Sequence, residues 1–123
     1  MIITLIAVFG GAGAAARFVV DGLIRARWST ALPLGTLTIN ISGSLLLGFL
    51  AGASHAGGWG GDVLDAAAIG FCGGYTTFST AMAETVRFVQ GGDYRRAVIN
   101  ALGTGVLTVA AAAVGYALAS VLF

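Results

Sequence analysis

Long apolar stretches separated by short bunches of charge run the length of this chain. Trp28–Gly61, Ala66–Ala83 and Ala97–Phe123 contain no Asp, Glu, Lys or Arg, and the N-terminal stretch meets its first charge only at Arg17. The charges fall in three groups: Arg17, Asp21, Arg25 and Arg27; then Asp62 and Asp65; then Glu84, Arg87, Asp93, Arg95 and Arg96. A helix needs about 20 mostly apolar residues to cross a bilayer. The pattern predicts an all-α integral membrane protein with four transmembrane helices, at about 2–24, 34–54, 64–89 and 96–123, in one domain covering 1–123. Inside the third span, Gly70–Thr80 (GFCGGYTTFST) is polar and glycine-rich. Two adjacent glycines with the hydroxyls of Thr76, Thr77, Ser79 and Thr80 make a poor helix interior. Non-helical backbone at membrane depth survives only where protein packs it or it lines a wet cavity. The run therefore predicts a broken third helix, and such breaks sit where ions or substrates are handled.

Composition agrees with the pattern. Of 123 residues, 58% are hydrophobic and 9% charged, and the mean hydropathy is +0.95; a soluble domain carries roughly 25% charged residues. The apolar start lacks the positive charges of a signal peptide and reads as a retained first helix. Cys72 is the single cysteine, so neither an intrachain disulfide nor a cysteine metal site can form, and it reads as a small buried hydrophobe. His55, beside Gly57 and Gly58, reads as a loop residue. With no Ser/His/Asp set and no metal-ligand cluster, an enzyme is disfavoured.

Ile2–Phe9 followed by GGAGAAAR (Gly10–Arg17) mimics a strand leading into a dinucleotide-binding turn. That fingerprint also needs alternating strands and helices and an acidic residue about 20 positions on, where this chain has Ala31-Leu32-Pro33. On a helix, Gly10, Gly13, Ala14 and Arg17 share one face instead, and small residues let helices approach closely in lipid.

The second span places Thr36, Asn40, Gly43, Ser44, Leu47 and Gly48 on one helical face. Asn40 has two readings: interhelical glue together with Ser44, or an amide donor to a permeating anion. Asn100, Thr104 and Thr108 form a polar stripe on the last span, equally readable as helix-stabilising contacts or as pore wall. The deep membrane thus holds hydroxyls, one amide and the Phe78 ring but almost no charge. A proton-coupled exporter of cations or drugs normally carries a carboxylate near the midplane, and Glu84 lies toward the end of its span. Neutral donors suit a small hydrated anion, and an aromatic edge is electropositive. A pore or carrier is what this chemistry describes, against a non-transporting scaffold or a small multidrug-type exporter.

Three motifs go further. GGxGAxxRF (Gly10–Phe18), GTLxxNxxGSxLLG (Gly35–Gly48) and GFCGGxTTFST (Gly70–Thr80), followed by Glu84, resemble the Fluc, or CrcB, family of fluoride channels in order and spacing. The fourth span matches only in length and character. The resemblance implies a bacterial cell-membrane protein forming an antiparallel dimer with two pores at the subunit interface, exporting cytoplasmic fluoride down its gradient without nucleic acid, ATP or a catalytic step. It implies that Asn40 donates to the ion, that the Phe78 edge faces it, and that Ser79 and Thr80 extend a hydroxyl track ending near Glu84. Arg17 would stand near a vestibule. Backbone carbonyls of Gly73 and Thr76 from both subunits would hold one structural Na⁺. Two departures stand out. The family run reads TFSTF, whereas Ala81 replaces the second ring here. The basic loop residues also all map to one side, which predicts a single orientation with both termini outside. The partner in the dimer is then a second copy or an oppositely oriented related subunit.

Overall fold

The protein is described from a computed structural model, which places residues 1–28, 32–57 and 60–123; Ala31 and Gly58, invoked above, lie outside the described residues. Five α-helices follow in order: α1 Ile2–Arg27, α2 Leu34–His55, α3 Asp62–Tyr75, α4 Phe78–Gln90 and α5 Tyr94–Leu122. Among the described residues there is no strand. Three helices, α1, α2 and α5, are long and apolar enough to cross a membrane. At about 1.5 Å per residue, α3 and α4 reach only about 20 Å each, short of a hydrocarbon core of about 30 Å.

The packing is inverted relative to a water-soluble domain. Its buried hydrophobes are small apart from Ile39: Ala53, Ala66, Cys72, Ala81, Ala97 and Ala119. Large side chains such as Phe18, Leu23, Val109 and Val121 face outward. Lipid tails solvate Leu and Val as well as a protein interior does, so helices in a bilayer associate through small residues and polar contacts. Cys72 is buried, as its small size and isolation suggested.

Two closely packed pairs, α1 with α3 and α2 with α5, build the body. In the first, the Gly70 and Gly74 backbones press on Ile6 and Gly10, and Gly13 presses on Phe71 and Tyr75; a Cβ at any of the three would collide with backbone. The α1 face read from Gly10, Gly13, Ala14 and Arg17 is thus the face turned inward. In the second pair, Gly48 and Gly52 meet Ala112 and Tyr116, and Gly115 meets Leu45 and Phe49.

The glycines of the polar run accordingly stay helical. Gly70–Tyr75 all belong to α3, and the non-helical backbone narrows to Thr76 (φ −80°, ψ 160°) and Thr77 (φ −147°, ψ 121°). Gly70 and Gly74 serve close approach to α1, a use that composition alone does not separate from helix breaking. His55 is the last residue of α2 rather than a loop residue, its ring 6.1 Å from that of Tyr116.

The turn after α4 is tight. Gly92 adopts φ +76°, the Asp93 N–H reaches back to the Phe88 carbonyl (2.8 Å), and the Gly92 N–H reaches that of Val89 (3.0 Å). This is a Schellman closure, which needs a residue free to adopt left-handed backbone. Asp93 then caps α5 by accepting the Arg96 N–H. The turn sets α4 antiparallel to α5, where Asn100 donates to the Ala81 carbonyl (3.3 Å) and the Thr85 hydroxyl (2.9 Å).

Candidate functional site

The polar groups converge where α3 gives way to α4. Asn40, buried on α2, stands opposite the extended Thr77. Its Oδ1 accepts the Thr77 N–H at 2.8 Å, and its Nδ2 donates to the Thr77 carbonyl at 2.9 Å. One side chain thereby supplies what a neighbouring strand would give an extended residue. Unpaired buried backbone is costly, so this pairing makes a helix interruption tolerable. Of the two readings of Asn40, the structure realises the contact between helices, and one amide N–H is left over for another acceptor.

The clamp has a second consequence. In an uninterrupted helix the Thr77 N–H would bond the Gly73 carbonyl, but here it goes to Asn40. The Thr80 N–H would bond the Thr76 carbonyl, but it goes to the Thr77 hydroxyl at 3.2 Å, capping α4. Gly73, Gly74, Tyr75 and Thr76 are therefore the four positions whose carbonyls the interruption releases from the i to i+4 ladder. Thr76 is half-buried, and Gly73 is exposed with nothing within 4 Å of where a Cβ would stand. The Thr76 hydroxyl turns back to the Cys72 carbonyl at 2.8 Å.

Around Thr77 the hydroxyls link up. Its Oγ1 donates to Thr80 Oγ1 at 3.1 Å and lies 3.4 Å from Ser79 Oγ. The Phe78 ring projects from the surface of the chain, 79% exposed. Beside it lies a cleft of about 320 Å³ whose walls include Asn40, Ser44, Thr77, Ala81, Thr104 and Thr108. The α5 stripe divides: Asn100 braces α4, while Thr104 and Thr108 line this cleft. Ala81, where the resemblance led to a ring, is buried and lines the same cleft.

Glu84 lies about one and a half turns along α4 from Ser79. It is buried, with Oε1 accepting the Thr36 hydroxyl at 2.7 Å and Oε2 unpartnered. A second cavity of about 400 Å³ opens there, walled also by Arg25, Gly35 and Arg87. Arg17 is half-buried on α1, outside both cavities, and among the described residues no hydrogen bond or ion pair engages its guanidinium. The structure thus gathers Asn40, Phe78, Ser79 and Thr80 with Thr76, puts Glu84 at a second cavity, and leaves Arg17 apart. Thr36, the partner of Glu84, was legible only as a member of the Asn40 face. Ser42 and Tyr75, hydroxyl to hydroxyl at 2.9 Å, gave no sequence signal.

Comparison with known proteins places this arrangement. Residues 4–116 match the family described as CrcB-like protein, Camphor Resistance (CrcB). A protein of Cutibacterium acnes named fluoride-specific ion channel FluC 2 is 46% identical over 112 residues, 90% of this chain and 91% of that protein. FluC 1 of Nocardia farcinica, a fluoride-specific ion channel by name, is 50% identical over 109 residues, 89% of this chain and 71% of its own. The fluoride-specific ion channel FluC of Syntrophotalea carbinolica is 41% identical over 120 residues, 97% and 98% of the two chains.

Proposed function

The chain belongs to the CrcB family, a family of ion channels rather than enzymes, and on that premise we propose that it is a multi-pass fluoride channel of the bacterial inner membrane. The observation that carries the reading is the near full-length match to relatives of that name. In this reading α3 and α4 together make one crossing, interrupted at Thr76 and Thr77, so that four crossings result.

Fluoride is small and tightly hydrated, and a path across the membrane must replace its water with donors. The spare Asn40 amide N–H, the Ser79 and Thr80 hydroxyls and the Phe78 ring edge supply such donors without a fixed charge that would trap the ion. Phe78 and Ser79 are exposed on the single chain. That exposure favours a path completed by a second subunit, hence pores at the interface of an antiparallel dimer. Glu84 and the cavity it shares with Arg25 and Arg87 form one end of the path, and Arg17 adds positive potential along the approach. Export is passive, down the electrochemical gradient.

A structural Na⁺ fits the break. Hard cations take oxygen ligands, and the carbonyls of Gly73 and Thr76, two of the four that the interruption releases, are such ligands. Two antiparallel copies would bring four of them together. A bound ion would neutralise carbonyl dipoles otherwise left unpaired in the membrane.

A related, oppositely oriented subunit as partner is favoured by one observation. Arg25, Arg27, Arg87, Arg95 and Arg96 all lie at the end where α1 and α4 finish and α2 and α5 begin, whereas Asp62 and Asp65 lie at the other. Such asymmetry favours one orientation, with the arginine-rich end inside. Growth of a fluoride-sensitive bacterium lacking its own exporter tests both readings. Rescue by this chain alone supports the homodimer, rescue only on co-expression with a related four-span subunit supports the heterodimer, and rescue by neither contradicts the channel.

A further inference from the structure

Three consecutive residues at the end of α3 are each fixed by α2. Thr77 is clamped by Asn40. Thr76 and the Tyr75 ring pack on Gly43 so closely that a Cβ there would collide with the Thr76 methyl and crowd the ring. The Tyr75 Oη lies 2.9 Å from Ser42 Oγ. Ser42 spends its proton on the Ile39 carbonyl at 3.2 Å, so Tyr75 is the donor in the pair and Ser42 the acceptor. From the other side the Gly13 backbone presses on the Tyr75 backbone, where a Cβ at Gly13 would stand 2.8 Å from the Tyr75 nitrogen. The Tyr75 ring also stacks on Phe71, with centroids 5.9 Å apart and planes 12° apart. Tyr75 is thus held on both faces and at its tip, between Gly73 and Thr76, whose carbonyls are the proposed cation ligands.

We propose that Tyr75 and Ser42 are positioning residues for the cation site: their hydroxyl pair locks the last residue of α3 onto α2 and so fixes the direction of the Gly73 and Thr76 carbonyls. The proposal rests on the sodium reading above and extends it to two residues that touch no ion. Asn40 sets the peptide after Thr76, because the N–H of that unit goes to Oδ1 and its carbonyl must point the opposite way. The Gly73 carbonyl belongs to a helical peptide, so its direction follows that of the last turn of α3, which α1 holds at Gly74 and α2 holds through Tyr75. A hydroxyl pair of this kind acts on an oxygen-ligand site as outer partners act on metal ligands, by orienting groups that would otherwise rock.

The test is thermal unfolding of the purified, assembled protein as sodium is titrated against potassium at constant ionic strength. The variants are Tyr75→Phe, Ser42→Ala and the pair together. The expected result is a sodium midpoint raised by about three- to tenfold in each single variant, no further rise in the double variant, and near wild-type melting at saturating sodium. A uniform loss of melting temperature at all sodium concentrations, with the midpoint unmoved, would show a purely structural pair and overturn the proposal. A wild-type protein that responds to sodium and potassium alike would overturn the sodium reading itself, and the positioning role with it.

Discussion

Asn40 and Thr77 exchange two hydrogen bonds, of 2.8 and 2.9 Å, between a side chain on α2 and the extended backbone that separates α3 from α4. This exchange holds the interruption open, offsets its cost and takes the Thr77 N–H away from the Gly73 carbonyl. Asn40→Ala strands both Thr77 backbone groups and is expected to destabilise the fold by about 1–3 kcal/mol. Asn40→Asp keeps an acceptor for the N–H but sets a buried carboxylate oxygen against the Thr77 carbonyl, and should cost at least as much as alanine. Thermal unfolding in detergent across the three proteins checks the order.

Gly73 and Gly74 are neighbours in sequence with opposite surroundings. A Cβ at Gly74 would collide with the Gly10 backbone, whereas one at Gly73 meets nothing within 4 Å. Gly74→Leu should separate α1 from α3 and abolish folded protein. Gly73→Leu should leave each chain folded and impair pairing of subunits, because in the proposed dimer that open face meets the second subunit. Size-exclusion elution and subunit counting in liposomes distinguish the two outcomes.

Gly92 sits at φ +76° within the closure that joins α4 to α5. Gly92→Ala should cost about 1 kcal/mol, while Gly91→Ala, at φ −79°, should cost little. Paired melting curves of the two variants check the difference.

The Arg96 side chain and backbone N–H hold the exposed Asp93 carboxyl below the usual carboxylate range. Because the native pKa lies under the unfolded value of about 3.9, the pair adds stability above that value and loses it as pH falls through the native pKa. Asp93→Asn retains a capping oxygen without the charge. Its small melting deficit at pH 7 should therefore shrink as the wild type is taken below pH 4.

Several parts of this architecture were readable from the residues and others were not, for physical reasons. The apolar stretches fix α1, α2 and α5 because length and hydropathy suffice for a bilayer crossing. The inward face of α2 was readable because Thr36, Asn40, Gly43 and Gly48 repeat at helical spacing, and all four are buried. Leu47, placed on the same face, is 43% exposed but borders the cleft beside Phe78. Gly70 and Gly74 looked like helix breakers because glycine is ambiguous: it breaks helices in water and packs them in lipid. The bond from Asn40 to Thr77 was not readable, since a sequence shows that an amide is buried but not which backbone it meets. The same holds for Ser42 and Tyr75, which come together only once α2 lies along the end of α3.

Fluoride efflux from liposomes holding only this purified chain, read with a fluoride electrode against a chloride control, tests the central claim most directly. Fast efflux of fluoride but not chloride, lost in Asn40→Asp, is the predicted result. Equal efflux of both anions, or no fluoride efflux from folded protein even when a related four-span subunit is supplied, would contradict it.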